Sequence, residues 1–442
     1  MYQPSPQLKK LAYILIIIGG VLLVFGFYQG FSINFEEAYN FIQEHPLRFV
    51  EDHYPAGFTT EEVKQHQTEH TQHLLHQVHS RPWSALYTAA FYFTGLSLGV
   101  LFFLAIQHTA QAGWSIVVSR VMESIASFLP YGGVILLIVL ILNAFGLVHM
   151  FHWMDPSLFD LNSPNYDELI ANKEPFLNKF FYIIRSVVYL VGWTFFLCWM
   201  KRLSKKLDET HSVKDHNKLH DVSVGFIAFF AMTSMVMGWD WIMSLDPHWF
   251  STLFGWYVLG TYLVTGITTI ALVALYLKDK GFLPKFNDNH LHDLAKYMFA
   301  TSLLWSYLWF TQFLLYWYGN IPEEVAYFIN RAEQYNNIHF WMLIPNLVLP
   351  LFGLIGSNFK RNPRVVITLG CIILIGHYID VYNMIMVGSV GGFYGFGAAE
   401  IGALLLIAGL FILIVAKELS TLELEAKGNQ LFRESEIYEY PY

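Results

Sequence analysis

The apolar run 365–387, "VVITLGCIILIGHYIDVYNMIMV", carries polar side chains at i, i+3 and i+6: His377, Asp380 and Asn383. On a helix these positions share one face, so they meet the same surroundings. An ionisable group at the centre of a membrane helix costs about 2.5–3.5 kcal/mol on insertion scales and therefore needs a reason. A carboxylate beside an imidazole can accept and pass on a proton. A second acid, Asp240, stands between Trp239 and Trp241 in "GWDWIMSLDPHW", after the apolar run "VGFIAFFAMTSMVM", with Ser234 and Ser244 near its face. Arg185 lies at comparable depth in another apolar run, "FFYIIRSVVYLVGW". Two readings stay open for Asp380, His377, Asp240 and Arg185. They carry protons, or they form buried pairs that fix helix geometry.

Charged pairs also stand at the other ends of the apolar runs. Arg120 and Glu123 lie on the amphipathic stretch "WSIVVSRVMESIASF", and Asp293 and Lys296, beside His292, open a later run. They are interfacial anchors or the mouths of a polar path. His149 and His152 close the third run, where they could serve as proton acceptors for a quinol, or His149 could pair with His377 around a b-type haem. No repeated histidine spacing supports the haem. The outer stretch "HQTEHTQHLLHQVH" puts His66, His70 and His73 at helical spacing, which suits either a Zn or Cu site or an amphipathic helix against a partner. Pro345, Asn346 and Pro350 interrupt the eighth run, which predicts a kink lining a cavity. The seventh, "WSYLWFTQFLLYWY", could face a flat ligand such as a quinone, or pack against lipid and core.

The elements that position these residues follow from composition. The chain has 442 residues, 55% of them hydrophobic and 14% charged, and a mean hydropathy of +0.41. Soluble domains carry roughly 25% charged residues. With many apolar runs of spanning length, the expectation is an all-α integral membrane protein with about ten transmembrane helices. They are drawn at 10–30, 84–107, 131–152, 178–200, 222–244, 250–277, 296–318, 339–357, 365–387 and 398–417. The basic, apolar N-terminus shows no convincing signal cleavage site and reads as an uncleaved first span. Of the 26 Lys and Arg, only Arg48, Lys64, Arg81, Lys173, Lys179 and Arg331 fall on one side, and Arg185 alone lies within a span. By the positive-inside rule both termini are then cytoplasmic. No basic patch interleaves with aromatics, so nucleic acid is not an expected partner. The two cysteines, Cys198 and Cys371, lie inside apolar runs without a haem-attachment or iron–sulfur motif. Any covalent haem or iron–sulfur cluster belongs on partners.

The chain also reads as a duplication. Pro82-Trp83-Ser84 and Pro247-His248-Trp249-Phe250-Ser251 open two spans that continue with small residues, Gly95 and Gly99 in one, Gly255, Gly260 and Gly266 in the other. Each half then shows a charged pair at a helix start, and each closes on a span with one acid in its outer third. This predicts two parallel-repeat four-helix bundles, flanked by one helix at each end. The segments are a first helix (1–30), a periplasmic His-rich loop (31–82), a first bundle (83–246) with a periplasmic lobe (153–177), a second bundle (247–390), a last helix (391–417) and a cytoplasmic tail (418–442).

Ten spans in this arrangement, and the stretch "MTSMVMGWDWIMSLDPHWFSTLFGWYVLG", resemble the F subunit of alternative complex III, the bacterial quinol:cytochrome c/acceptor oxidoreductase. That subunit belongs to the polysulfide-reductase membrane-subunit (NrfD-like) group. The resemblance implies a bacterial inner (cytoplasmic) membrane protein without a redox centre of its own, acting as a scaffold and candidate proton half-pathway. It implies as partners a homologous quinol-binding membrane subunit, periplasmic multihaem cytochrome and iron–sulfur subunits carrying haem c and the clusters, lipid, and menaquinol or ubiquinol. No residue here matches a quinone-site motif of that group. The alternatives are a chain that binds quinol itself, through His149, His152 or Asp380, and an ion-coupled transporter.

Overall fold

A computed structural model describes residues 2–44, 60–163, 165–421 and 423–439, with side chains at 42, 43, 60–74, 323 and 334 outside that description. The described chain is helical throughout, with no strand. It is an all-α, multi-pass integral membrane protein. The first helix, α1 (Pro6–Ser32), is started by the Ser5 hydroxyl, which accepts the Leu8 N–H at 3.1 Å. It lies antiparallel against the last span, α16 (Ala398–Thr421): Gly26 meets Ala399, and Gly409 meets Ala12. Both chain ends therefore lie on one face, called the terminal face below, and the opposite face is called distal.

Between them run α2 (Phe35–Glu44), α3 (Thr60–Thr109), α4 (Ile116–Ala126), α5 (Leu129–Ala144), α6 (Glu168–Ala171), α7 (Lys179–Thr210) and α8 (Val213–Trp241). The second half continues with α9 (Phe254–Asp279), α10 (Asp288–Gly319), α11 (Pro322–Gln334), α12 (Asn336–Trp341), α13 (Leu349–Leu354), α14 (Ser357–Lys360) and α15 (Pro363–Val390). A short α17 (Phe432–Glu436) ends the fold. Among the described residues, nine helical segments are long and apolar enough to span a membrane. The 32-residue α10 is as long as α7 but richer in Tyr, Trp and hydroxyl side chains, and it stands where the seventh span was expected.

Three boundaries differ from the sequence expectation. The segment 31–82 is not simply a loop, because α3 begins at Thr60 and passes through Pro82 into the second span. The third span breaks before Pro130, at Ser127–Phe128, and its helix stops at Ala144 rather than 152. There Gly146 turns into the left-handed region (φ +73°) and the Asn143 carboxamide accepts the Met150 N–H at 2.9 Å, so His149 and His152 lie beyond the helix. The eighth span is interrupted as Pro345 and Pro350 predict, by a π-helical turn at Ile344–Val348. A proline removes one i→i−4 bond, and a wider turn reroutes the freed carbonyls.

Both halves pack in the same order. In the first, α3 touches α5, α5 touches α7, α7 touches α8, and α8 returns to α3. In the second, the ring is α9, α10, α13 and α15. The leading helices α3 and α9 face each other at the centre, and each also touches the closing helix of the other half. Small residues make that crossing close. A methyl group added at Gly99 would come within 2.2 Å of the Tyr262 carbonyl oxygen, and one at Gly266 within 3.0 Å of the Val100 nitrogen. Without a hydrophobic force between helices in lipid, such close backbone approach is what packs them.

Gly99→Val is therefore expected to lower the thermal unfolding midpoint in detergent, with an overpacking cost of about 1–3 kcal/mol. Gly260→Ala, whose added carbon meets its nearest neighbour at an ordinary 3.4 Å, should leave the midpoint almost unchanged. Equal effects at the two glycines would contradict the crossing as the tight point.

Candidate functional site: two buried acids

Asp380 lies on α15 with no exposed surface. Its carboxylate accepts from Thr261 Oγ1 at 2.9 Å, from Trp305 Nε1 at 2.9 Å and from the Tyr257 hydroxyl. Tyr257 and Thr261 are one helical turn apart on α9, so one face of that helix presents both hydroxyls. His377 Nδ1 stands 3.7 Å from the carboxylate, beyond hydrogen-bond range. Its ring meets Trp305 edge-on at 5.0 Å, and among the described residues neither ring nitrogen has a hydrogen-bond partner. The π-helical turn swings Asn346 inward against Gly376, where an added methyl would fall 2.2 Å from Asn346 Oδ1. The Asn346 amide is fully buried and makes no hydrogen bond. Asn383, on the same stripe, reaches His339 Nδ1 at 3.1 Å instead.

Asp240, at the corresponding place near the end of α8, is equally buried but compensated in another way. Arg185 grips it with two bonds, Nε to Oδ2 at 2.8 Å and Nη2 to Oδ1 at 2.7 Å. Tyr189, one turn along α7, donates to Oδ2 at 2.8 Å. The same guanidinium donates to the Phe176 carbonyl at 3.0 Å, and 22% of the Arg185 side chain stays exposed. A bidentate guanidinium is a donor without acceptor capacity, so it meets the carboxylate through charge. The hydroxyls around Asp380 can donate or accept.

At the terminal face, Arg120 and Glu123 pair at 2.9 Å as their spacing predicts, but both are fully buried. Arg120 also holds Asp208 and the Ser204 carbonyl, and Ser204 Oγ donates to Glu123 at 2.5 Å. Asp293 meets Lys296 and His292, each at 3.3 Å, and accepts from the Tyr438 hydroxyl. The segment after α16 contains no strand among its described residues and lies over both pairs. The Gly428 N–H donates to Asp208 at 3.2 Å, and Ser435 Oγ accepts the Val117 N–H at 3.0 Å. These expected mouths are therefore covered by the chain's own tail.

At the distal face, His149 and His152 line a cavity of 570 Å³ together with His76, Asp155 and Lys179, and the His76 and His149 rings lie 4.8 Å apart. His377 has Trp305 as its ring neighbour, so these contacts do not place it opposite His149. The side chains of His66, His70 and His73 lie outside the described residues. Among the described ones, no cluster of three or more metal-ligating side chains forms.

Several partners escaped the sequence reading. Tyr257, Thr261 and Trp305 gave no signal beyond being polar or aromatic in apolar runs. Glu400 did give one, an acid at the start of the last span, and it is buried against Arg81 with bonds of 2.7 and 3.2 Å. Arg331, read as an outer charge, is 1% exposed and lies over the Tyr327 ring, reaching Asp246 at 3.3 Å.

Arg185→Met should lower stability by about 3 kcal/mol, at the low end for a broken buried pair because the arginine is partly exposed. Combining Arg185→Met with Asp240→Leu should cost less than the two single changes together. Chemical unfolding of the four proteins in detergent measures this, and simple additivity would show that the pair is not coupled.

Compared with known proteins, the chain matches no family model and no curated protein.

Proposed function

We propose that the chain is an integral subunit of a bacterial respiratory quinol:cytochrome c/acceptor oxidoreductase of the alternative complex III kind. It scaffolds the assembly and contributes a proton half-pathway, with no redox centre of its own. The membrane fold and the duplicated neighbour order support the resemblance from which this reading starts. The observation that carries the proton role is the setting of Asp380, a buried acid whose hydrogen bonds among the described residues come from neutral donors, beside His377 and Asn346, whose side-chain polar atoms have no hydrogen-bond partner among those residues. Buried polar groups of this kind are usually served by bound water, and water relays protons between them. Asp293 and His292, under the tail, mark the terminal-side end of this path, and Arg120 and Glu123 mark its counterpart in the first half. By the lysine and arginine bias the terminal face is cytoplasmic, in the bacterial inner membrane.

In this reading Asp380 carries the proton and Asp240 holds helices. Partners are the homologous quinol-binding subunit, which uses menaquinol or ubiquinol, and periplasmic multihaem cytochrome and iron–sulfur subunits. Their haem c and clusters move the electrons. A second reading rests on the cavity beside His149 and His152, whose three imidazoles and Asp155 could accept protons from a quinol bound there. An ion-coupled transporter would work as a single chain.

Affinity purification from native membranes should bring down haem- and cluster-bearing subunits, and a lone chain active in liposomes would refute the assembly. In the purified assembly, Asp380→Asn should lower the protons released per electron while quinol oxidation continues. Asp240→Asn should weaken the fold without altering that ratio in the surviving protein. An unchanged ratio in Asp380→Asn would remove the proton role. Loss of quinol binding in His149→Ala with His152→Ala would move the chemistry to the distal cavity.

A further inference from the structure

A separate cavity of 460 Å³ opens at the distal end of α8, between the lobe before α7 and the turn into α9. Phe176, Leu177, Trp239, Met243, Trp249 and Phe250 make most of its wall. Phe250 is 61% exposed, so the apolar lining continues onto the outer surface of the helices. Tryptophans at this level mark the boundary between hydrocarbon and headgroups in membrane proteins.

Its polar lining includes Asn172 and Thr252 and two donors, Lys173 and Trp239. Lys173 Nζ lies half-buried over the Phe250 ring at 5.5 Å and donates to the Pro247 carbonyl at 2.5 Å, with no carboxylate in contact. The acid nearest in charge, Asp167, is already bound by His248 at 2.5 Å and by the Ile170 N–H at 3.1 Å. Burial pushes the Lys173 ammonium below its ordinary range, and Asp167 offsets this only in part. The Trp239 indole N–H is buried and has no partner among the described residues. Ser251 already receives Gln312, and Ser244 is spent on the Asp240 carbonyl. A half-buried cation and an orphan N–H at the rim of an apolar wall ask for an acceptor-only headgroup on an apolar chain.

We propose that this cavity is a binding site for a phosphate-bearing membrane lipid, with the phosphate on Lys173 and Trp239 and an acyl chain along Phe176, Met243, Trp249 and Phe250. The phosphate supplies the counter-charge that the protein withholds from Lys173. A quinol fits less well, because it brings no charge to the ammonium and its hydroxyls donate where Lys173 and Trp239 already donate. A quinone has the right acceptors but no charge to offer the ammonium. The site is independent of the proton path and of the proposed respiratory role.

The test uses the full chain, with whatever subunits accompany it, in vesicles of phosphatidylcholine containing phosphatidylglycerol with a photoreactive acyl chain. Peptide mapping after irradiation should place adducts within 172–177 and 239–252. Lys173→Gln should reduce those adducts about tenfold, the loss expected for one charge-assisted hydrogen bond, while Lys173→Arg retains them. Because Lys173 also ties Pro247, Trp239→Phe provides a second arm that leaves the lobe anchored, and it alone decides if Lys173→Gln does not fold. Adducts absent from these segments, or unaffected in the variants, would overturn the proposal. Adducts displaced by an excess of short-chain quinone would overturn it too, by assigning the cavity to a quinone headgroup.

Discussion

A carboxylate placed among membrane helices must be compensated by its immediate neighbours, because no water shell surrounds it. The arrangement of this protein turns on two solutions to that problem at equivalent positions. Asp240 is compensated by charge, through the forked guanidinium of Arg185. Asp380 is compensated by dipoles, from two hydroxyls and an indole on two neighbouring helices. The first solution ties two helices together through a forked ion pair. The second surrounds the acid with neutral donors. The same neighbour order thus holds two acids with different partners.

The compensation depends on the central crossing of α3 and α9. Gly99 and Gly266 let the two backbones approach, and the same helix α9 then presents Tyr257 and Thr261 to α15. In the other half, α3 presents Tyr87, whose hydroxyl donates to the Trp241 carbonyl at 2.9 Å, beside Asp240. The neighbour order is repeated, but the chemistry at the closing helix has diverged. Symmetry supplies the sites, and individual side chains decide what each can do.

Spans, their number and the kink at Pro345 were legible in the sequence because apolar length and proline act locally. The acids were legible too, since a charge in an apolar run is conspicuous. What could not be read was which groups answer them. Trp305 lies in an aromatic run where its neighbours Tyr307 and Phe310 face outward, and only the packing of α10 on α9 and α15 turns its N–H to Asp380. Arg185 was conspicuous for the opposite reason, a lone cation at matching depth. The end of α5 was misplaced because apolar residues continue past Ala144, while a side-chain bond from Asn143 and a left-handed glycine stop the helix. Hydropathy does not register either device.

The tail adds a last constraint. Tyr438 on Asp293 and Gly428 on Asp208 bring one polar segment over the buried charges of both halves. These charges are already paired, Asp293 with Lys296 on its own helix and Asp208 with Arg120 of α4, so the tail is not needed to neutralise them. It covers them, and it separates Asp293 and the Arg120–Glu123 pair from the surrounding water. Over the second half the contact is the Tyr438 hydroxyl on Asp293, a group able both to donate and to accept. Among the described residues the tail meets Asp208 through a backbone N–H instead, a donor alone. The asymmetry between the two acids is repeated at the surface above them.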